Sequence, residues 1–253
     1  MEKTVMKRLV SVIVILTLIF SLAFAFLNSQ SVAHADSSNG QKNIVTTQTT
    51  QWQYRDDNRT PADGWKTSER VTDAAWKTAK GSFGAKRGAI SNLGGGCVPQ
   101  TLLKQYIDGS SNDIPVYYFR TTFDVTDIAA VQGISGTVVY DDAATVYVNG
   151  VKIAGFDDGS FDANGYGGSN AGDPISADFS YTDISKLNLK ATGNVLAVEL
   201  HNGRAGSSDI YLNVKDITLQ TGTPAAKEEE IKDLSLNIGS TQTERNAAWL
   251  ATS

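Results

Sequence analysis

The stretch Thr145-Val146-Tyr147-Val148-Asn149-Gly150-Val151-Lys152-Ile153 decides the fold class. Asn-Gly supplies the two positive φ angles of a type I′ turn, and the β-branched and aromatic residues around it suit strands, so a tight hairpin is predicted. Working outward, Tyr117, Phe119, Phe123 and Val125 fall on one face of a strand, with Arg120, Thr122 and Asp124 on the other. Leu196, Val198 and Leu200 make a second such face, opposed by Ala197 and Glu199. In a third run Ile210, Leu212 and Val214 sit on even positions but Ile217 and Leu219 on odd ones. A strand has period two, so its register must shift, and a bulge is predicted near Lys215 and Asp216. Short alternating runs broken by Gly, Asn and Asp continue from Thr46 to Thr223, the pattern of an all-β antiparallel sandwich. Helix is expected only as one or two turns at Thr101 to Ile107 and at Ile184 to Leu187. Gly155 to Pro174 is a long glycine-rich loop carrying Asp157, Asp158, Asp162 and Asp173. A loop of that length within a domain is usually functional or mobile.

The chain has 253 residues, 41% hydrophobic and 19% charged, which fits a globular protein with an ordinary core. Lys3, Lys7 and Arg8 precede the apolar run Leu9 to Leu27, and Ala33-His34-Ala35 has the small-x-small pattern of a signal-peptidase site. Residues 1–35 are therefore expected to be a signal peptide. Uncleaved, the same run is long enough to anchor the chain in a membrane. Its removal takes away Glu2, Lys3, Lys7 and Arg8 and moves the net charge from −5 to about −7, a poor match to nucleic acid. One cysteine, Cys97, excludes an internal disulfide and a cysteine-rich metal site. Export without disulfides behind a long apolar leader suggests a bacterial cell exterior, secreted or at the surface. Residues 36–43 are expected to be a disordered N-terminus and 44–222 the sandwich. Pro224-Ala225-Ala226-Lys227-Glu228-Glu229-Glu230 marks an acidic linker over 223–232. Leu234 to Ile238 and Asn246 to Leu250 then read as two strands of a truncated second β-domain over 233–253, because so short a segment cannot build its own core.

Few side chains suggest chemistry. A Ser-His-acid triad has only His201 to draw on once His34 leaves with the leader, and His201 reads better as a strand-end residue before Asn202-Gly203. Carboxylate pairs for glycoside hydrolysis exist among Asp141, Asp142, Asp157, Asp158 and Glu199, yet adjacent aspartates point to opposite faces of a strand. The same aspartates suit calcium, which takes oxygen ligands from loops; Asp157-Asp158-Gly159 and Asp141-Asp142 are the candidates, without EF-hand spacing. Gly94-Gly95-Gly96-Cys97 lacks the Lys-Ser or Lys-Thr of a phosphate loop. Trp52, Tyr54, Trp65 and Trp76, near the polar run Arg55 to Arg59, offer either a stacking platform for sugar rings or core, with core the expectation for at least two of the tryptophans. The candidate ligand contacts are Trp65, Asp157, Asp158, Asp162 and Arg204, with Asp157 and Asp158 as the candidate calcium ligands.

Residues from about Trp52 to Gln220 resemble a galactose-binding-like jelly roll of the kind appended to secreted bacterial hydrolases. The resemblance rests on Tyr118-Phe119-Arg120, on Asp141 through Gly150, on Asn194 through Asn202 and on Ser207-Ser208-Asp209-Ile210. The tail, Leu234-Ser235-Leu236-Asn237-Ile238-Gly239 with Thr243-Glu244-Arg245-Asn246 and Trp249, is similar to the opening strands of the fibronectin-like domain of purple acid phosphatases and related secreted metallophosphoesterases. That family usually has Thr-Pro-Gly where this chain has Asn237-Ile238-Gly239, and an aromatic where it has Ala247. The resemblance implies a parent enzyme with a dinuclear metal centre held by several aspartates, an Asn-His pair and a His-x-His pair. His201 alone cannot supply them, so the chain would be a non-catalytic targeting or binding region. The alternative is a free-standing secreted carbohydrate-binding module, whose partner would be a glycan or cell-wall carbohydrate.

Overall fold

In the computed structural model, residues 40–46, 49–168, 172–222, 231–238 and 245–251 are described. The leader expected over 1–35 and most of the acidic linker lie outside them. The strands, in chain order, are β1 Gly40–Thr46, β2 Gln51–Arg55, β3 Lys77–Lys80, β4 Phe83–Lys86, β5 Thr101–Leu102, β6 Val116–Phe123 and β7 Val131–Asp141. They continue as β8 Ala143–Val148, β9 Val151–Phe156, β10 Ile175–Tyr181, β11 Asn194–His201, β12 Asp209–Thr221, β13 Ile231–Ile238 and β14 Arg245–Ala251. One sheet runs β10-β7-β12-β4-β5, with β1 also on β12; the other runs β3-β2-β6-β11-β8-β9. Pairing is antiparallel except for β4 with β5. The two sheets enclose one core, a jelly-roll β-sandwich. Ile134, Val138, Ile210, Leu212 and Ile217 meet Trp52, Phe119, Val146, Leu196 and Val198 within it. Burying each such side chain contributes about 1.5–3 kcal/mol over leaving it exposed.

The decisive hairpin forms as expected: Asn149 and Gly150 have φ of 48° and 85°, and Val148 pairs with Val151. The bulge also falls where the change of parity requires it. Val214 opposes Val138 and Ile217 opposes Gly136, so Lys215 and Asp216 on β12 face a single residue of β7. Ile184–Leu187 makes one 3-10 turn. Thr101–Ile107 differs from expectation: it opens as the short strand β5 and continues extended, Leu103 donating its N–H to the Gly84 carbonyl at 3.0 Å. Leu102 and Leu103 alternate as strand residues do, 44% and 1% exposed. β1 begins at Gly40, so four residues assigned to a disordered N-terminus are paired strand.

Both outer faces carry cover. Trp65, Tyr118, Val195 and Ala197 form a small cluster outside the second sheet. Beside them Arg120, fully buried, donates to the carbonyls of Trp65, Ser68 and Glu69 and so fastens the 64–76 segment to β6. The polar side of β6 is thus roofed over rather than open to water. Residues 231–238 and 245–251 form a separate two-stranded antiparallel sheet, with Leu234 opposite Trp249. The two strands expected in the tail are present, the first beginning at Ile231.

Candidate binding cleft

Strand directions sort the loops to two ends. Asn149-Gly150, 124–130 and 182–193 share one end; 87–88, 103–115, 141–142, 157–168 and 202–208 share the other. At this second end a cleft of about 690 Å³ is lined by Arg87, Tyr106, Ser110, Asp113, Arg204 and Ser207, among others.

Hydrogen bonds hold its walls in register. Gln105, 2% exposed, accepts the Gly88 N–H at 2.8 Å through Oε1 and donates through Nε2 to Asp113 Oδ1 at 2.7 Å. The Asp113 N–H reaches the Ala205 carbonyl at 2.8 Å, and the Arg87 N–H reaches the Ser208 carbonyl at 2.9 Å. The Tyr166 hydroxyl donates to the Asp113 carbonyl. Four loops distant in sequence are therefore tied around one carboxylate. Asp113 is 1% exposed although it lines the cleft, and its Oδ2 meets no donor. Burial raises its pKa, as does the charge of Asp209; the Gln105 amide and nearby backbone N–H groups oppose the shift.

Behind the cleft lies a buried acidic corner where β7 passes into β8. Asp141, Asp142 and Asp209 are each at most 5% exposed. Asp142 Oδ2 accepts the Gly203 N–H at 2.6 Å, and Asp209 Oδ2 lies 3.4 Å from the Lys86 ammonium. Burial and the neighbouring carboxylate push Asp141 up to about 8, and burial raises Asp142 as well. Both side-chain polar atoms of the fully buried Asn202 lack partners. Among the described residues no group of three or more His, Cys, Asp or Glu is placed to hold a metal ion.

Of the residues singled out from sequence, Arg204 lines the cleft. Trp65 is 6% exposed and packs edge-on against Tyr118 with ring centroids 5.3 Å apart, while Trp52 is 2% exposed, so these two tryptophans are core. Asp157 accepts the Tyr140 hydroxyl at 2.7 Å. Asp158 instead accepts the Thr145 hydroxyl at 2.7 Å and pairs with Lys152 at 2.7 Å. Burial works to raise the Asp158 pKa, but Lys152 and Thr145 hold it below the usual value. The candidate calcium ligands thus engage different partners. Asp162 accepts the N–H groups of Asn164 and Tyr166 and shapes its own turn. His201 ends β11 as expected, its Nδ1 2.8 Å from the Gly165 carbonyl and its ring stacked under Phe161 at 3.8 Å. Burial lowers its pKa. Arg87, Tyr106 and Asp113 were missed, being single residues on separate turns with no motif between them.

No protein-family model and no curated protein matches the chain. Among solved structures it is similar to a Bacteroides uniformis β-glucuronidase at 13% identity and a TM-score of 0.41, covering 71% of this chain and 18% of that one. It is also similar to a Ruminococcus gnavus β-glucuronidase at 13% identity and a TM-score of 0.36, covering 85% and 34%. A glycosyl hydrolase family 2 member from Bacteroides cellulosilyticus follows at 11% identity and a TM-score of 0.34, covering 69% and 20%. The chain spans about a fifth to a third of the length of these proteins. The purple acid phosphatase resemblance of the tail finds no support in these comparisons.

Proposed function

We propose that the sandwich is a carbohydrate-binding module, exported to a bacterial cell exterior by the leader pattern at the start of the chain. The observation that carries this reading is Asp113: a buried carboxylate in the wall of a cleft, fixed by Gln105 through one oxygen and without a donor on the other. A buried acceptor without a donor costs about 1–3 kcal/mol, so a ligand hydroxyl that enters between the cleft wall and this oxygen would relieve that cost. Tyr106 adds an aromatic ring, and Ser110, Ser207 and Arg204 add further polar groups, the mixture that suits a sugar with an apolar face and a hydroxylated rim. Calcium at Asp157 and Asp158 forms no part of the reading, because Lys152 already neutralises Asp158.

The test is titration calorimetry of the purified protein with soluble oligosaccharides, neutral and acidic. Asp113→Asn keeps the acceptor for Gln105 and turns the unpartnered oxygen into a donor, so affinity should fall roughly tenfold with little change in melting temperature. Absence of binding to every saccharide, or equal binding by the variant, would refute the cleft assignment.

A finer reading makes this module the front end of a secreted metallophosphoesterase. It is supported by the hairpin of β13 and β14, the shape expected for the opening of a fibronectin-like domain. Reading the coding sequence past Ser253 tests it, since an Asn-His pair and a His-x-His pair should follow.

A further inference from the structure

Five residues other than glycine have positive φ among those described: Asn58, Arg87, Asn149, Asp157 and Asn188. Four are Asn or Asp, which tolerate the left-handed region because their short side chains bond locally. Arg87 is the exception. With φ of 51° it is followed by Gly88 at 76°, and Lys86 and Ala89 exchange backbone hydrogen bonds of 2.9 and 3.1 Å. This is the same tight turn that Asn149-Gly150 makes at the opposite end, built with a residue that the conformation disfavours. Strain kept at a cleft rim is a pointer to what the side chain does.

Arg87 is exposed on that rim, and so is Arg204 on the facing loop. Neither guanidinium forms a close ion pair among the described residues, although the charge of Arg204 reaches the buried Asp142, in a chain with net charge −5. The two arginines are tied into one rigid frame. Gln105 links the 87–88 turn to Asp113, and Asp113 is linked in turn to Ala205, next to Arg204. The cleft therefore combines a buried acceptor with two exposed cations whose fork of N–H groups matches the paired oxygens of a carboxylate or phosphate.

We infer that the ligand is an anionic saccharide: a polyhydroxylated chain carrying a carboxylate or phosphate, whose oxyanion meets Arg87 and Arg204 while a hydroxyl donates to Asp113. This rests on the carbohydrate-binding reading and adds the ligand's charge. Arg87 accounts for its own strained position, since an Asn there would make the turn and lose the cation.

The experiment compares three probes by calorimetry with the purified protein: a galacturonic acid trimer, its fully methyl-esterified form and a glycerol phosphate trimer. The galacturonate is expected to bind roughly tenfold or more tightly than its ester, less tightly as salt rises, and to lose roughly tenfold on Arg204→Gln. Arg87→Asn should lose as much while melting no lower than the parent, which separates loss of a contact from loss of fold. Tighter binding of the glycerol phosphate trimer than of galacturonate assigns the oxyanion to phosphate; the reverse assigns it to a uronate. Equal affinity for acid and ester, or unchanged binding in both arginine variants, overturns the charge reading and leaves carbohydrate binding standing. No binding of any probe removes both.

Discussion

The two ends of the sandwich treat buried polar groups in opposite ways. At the hairpin end Asn149 gives its Nδ2 to the Leu187 carbonyl and Asn194 Oδ1, both at 3.0 Å, and accepts the Val195 N–H through Oδ1 at 2.9 Å. Asn194, fully buried, also accepts the Lys190 N–H and donates to the carbonyls of Lys190 and Phe123. Asp124 closes the set on the Gly193 N–H at 2.9 Å. At the cleft end Asp113, Asp141, His201 and Asn202 all keep buried polar atoms without hydrogen-bond partners. The same fold therefore spends polar side chains on stability at one end and holds them in reserve at the other. A completed network fixes structure, whereas an incomplete one at a cleft is where a ligand completes it.

The largest effect should come from breaking the completed end. Asn194→Ala strips partners from Lys190, Asn149 and Phe123 at once, and is expected to cost about 3–5 kcal/mol, seen as a fall in melting temperature of roughly 10 °C. A fall no greater than that of an exposed substitution would erase the contrast between the ends. Next in size is the pH response of the cleft end. Asp141 holds its proton up to about 8 in the fold against 3.8 ordinarily, so across that window the native state binds the extra proton. Stability should then decline as pH rises through that window and level off above it. Asp141→Asn should flatten that decline and melt higher than the parent at pH 8; a variant with an unchanged pH profile would place the titrating group elsewhere. Smallest is the gain from relieving the rim: Arg87→Asn should raise stability by up to about 1 kcal/mol, and a measurable loss would show that Arg87 is structural.

How much of this was legible in the sequence follows the range of the interactions. Asn149-Gly150 and the parity change at Lys215-Asp216 are local, since period and turn chemistry are carried by adjacent residues, and the structure has both where they were read. Thr101 to Ile107 failed as a helix because the contacts of its first residues are set by β4, nearly twenty residues away in sequence. The cleft is less legible again. Asp113 matters through Gln105, Gly88 and Ala205, partners that no spacing rule connects. Of the aspartates that did stand out, Asp157 is engaged by the Tyr140 hydroxyl and Asp158 by Thr145 and Lys152, neighbours that strand pairing brings them. An arginine where a turn wants asparagine was visible in Lys86-Arg87-Gly88, but only the φ angle gives it meaning.

β1 lies antiparallel to the far half of β12, with Gly40 directly opposite Thr221 and the pairing running on to Thr46 and Asp216. A pull through residues 40 and 221 meets this ladder as a zipper: the rungs load one after another from the outer end, so little force is needed to peel β1 away. A pull between the cleft and residue 221 instead runs along β12, which is held by β7 over most of its length. There the rungs share the load in shear. A ligand that tugs on the cleft is thus resisted by the stronger of the two geometries.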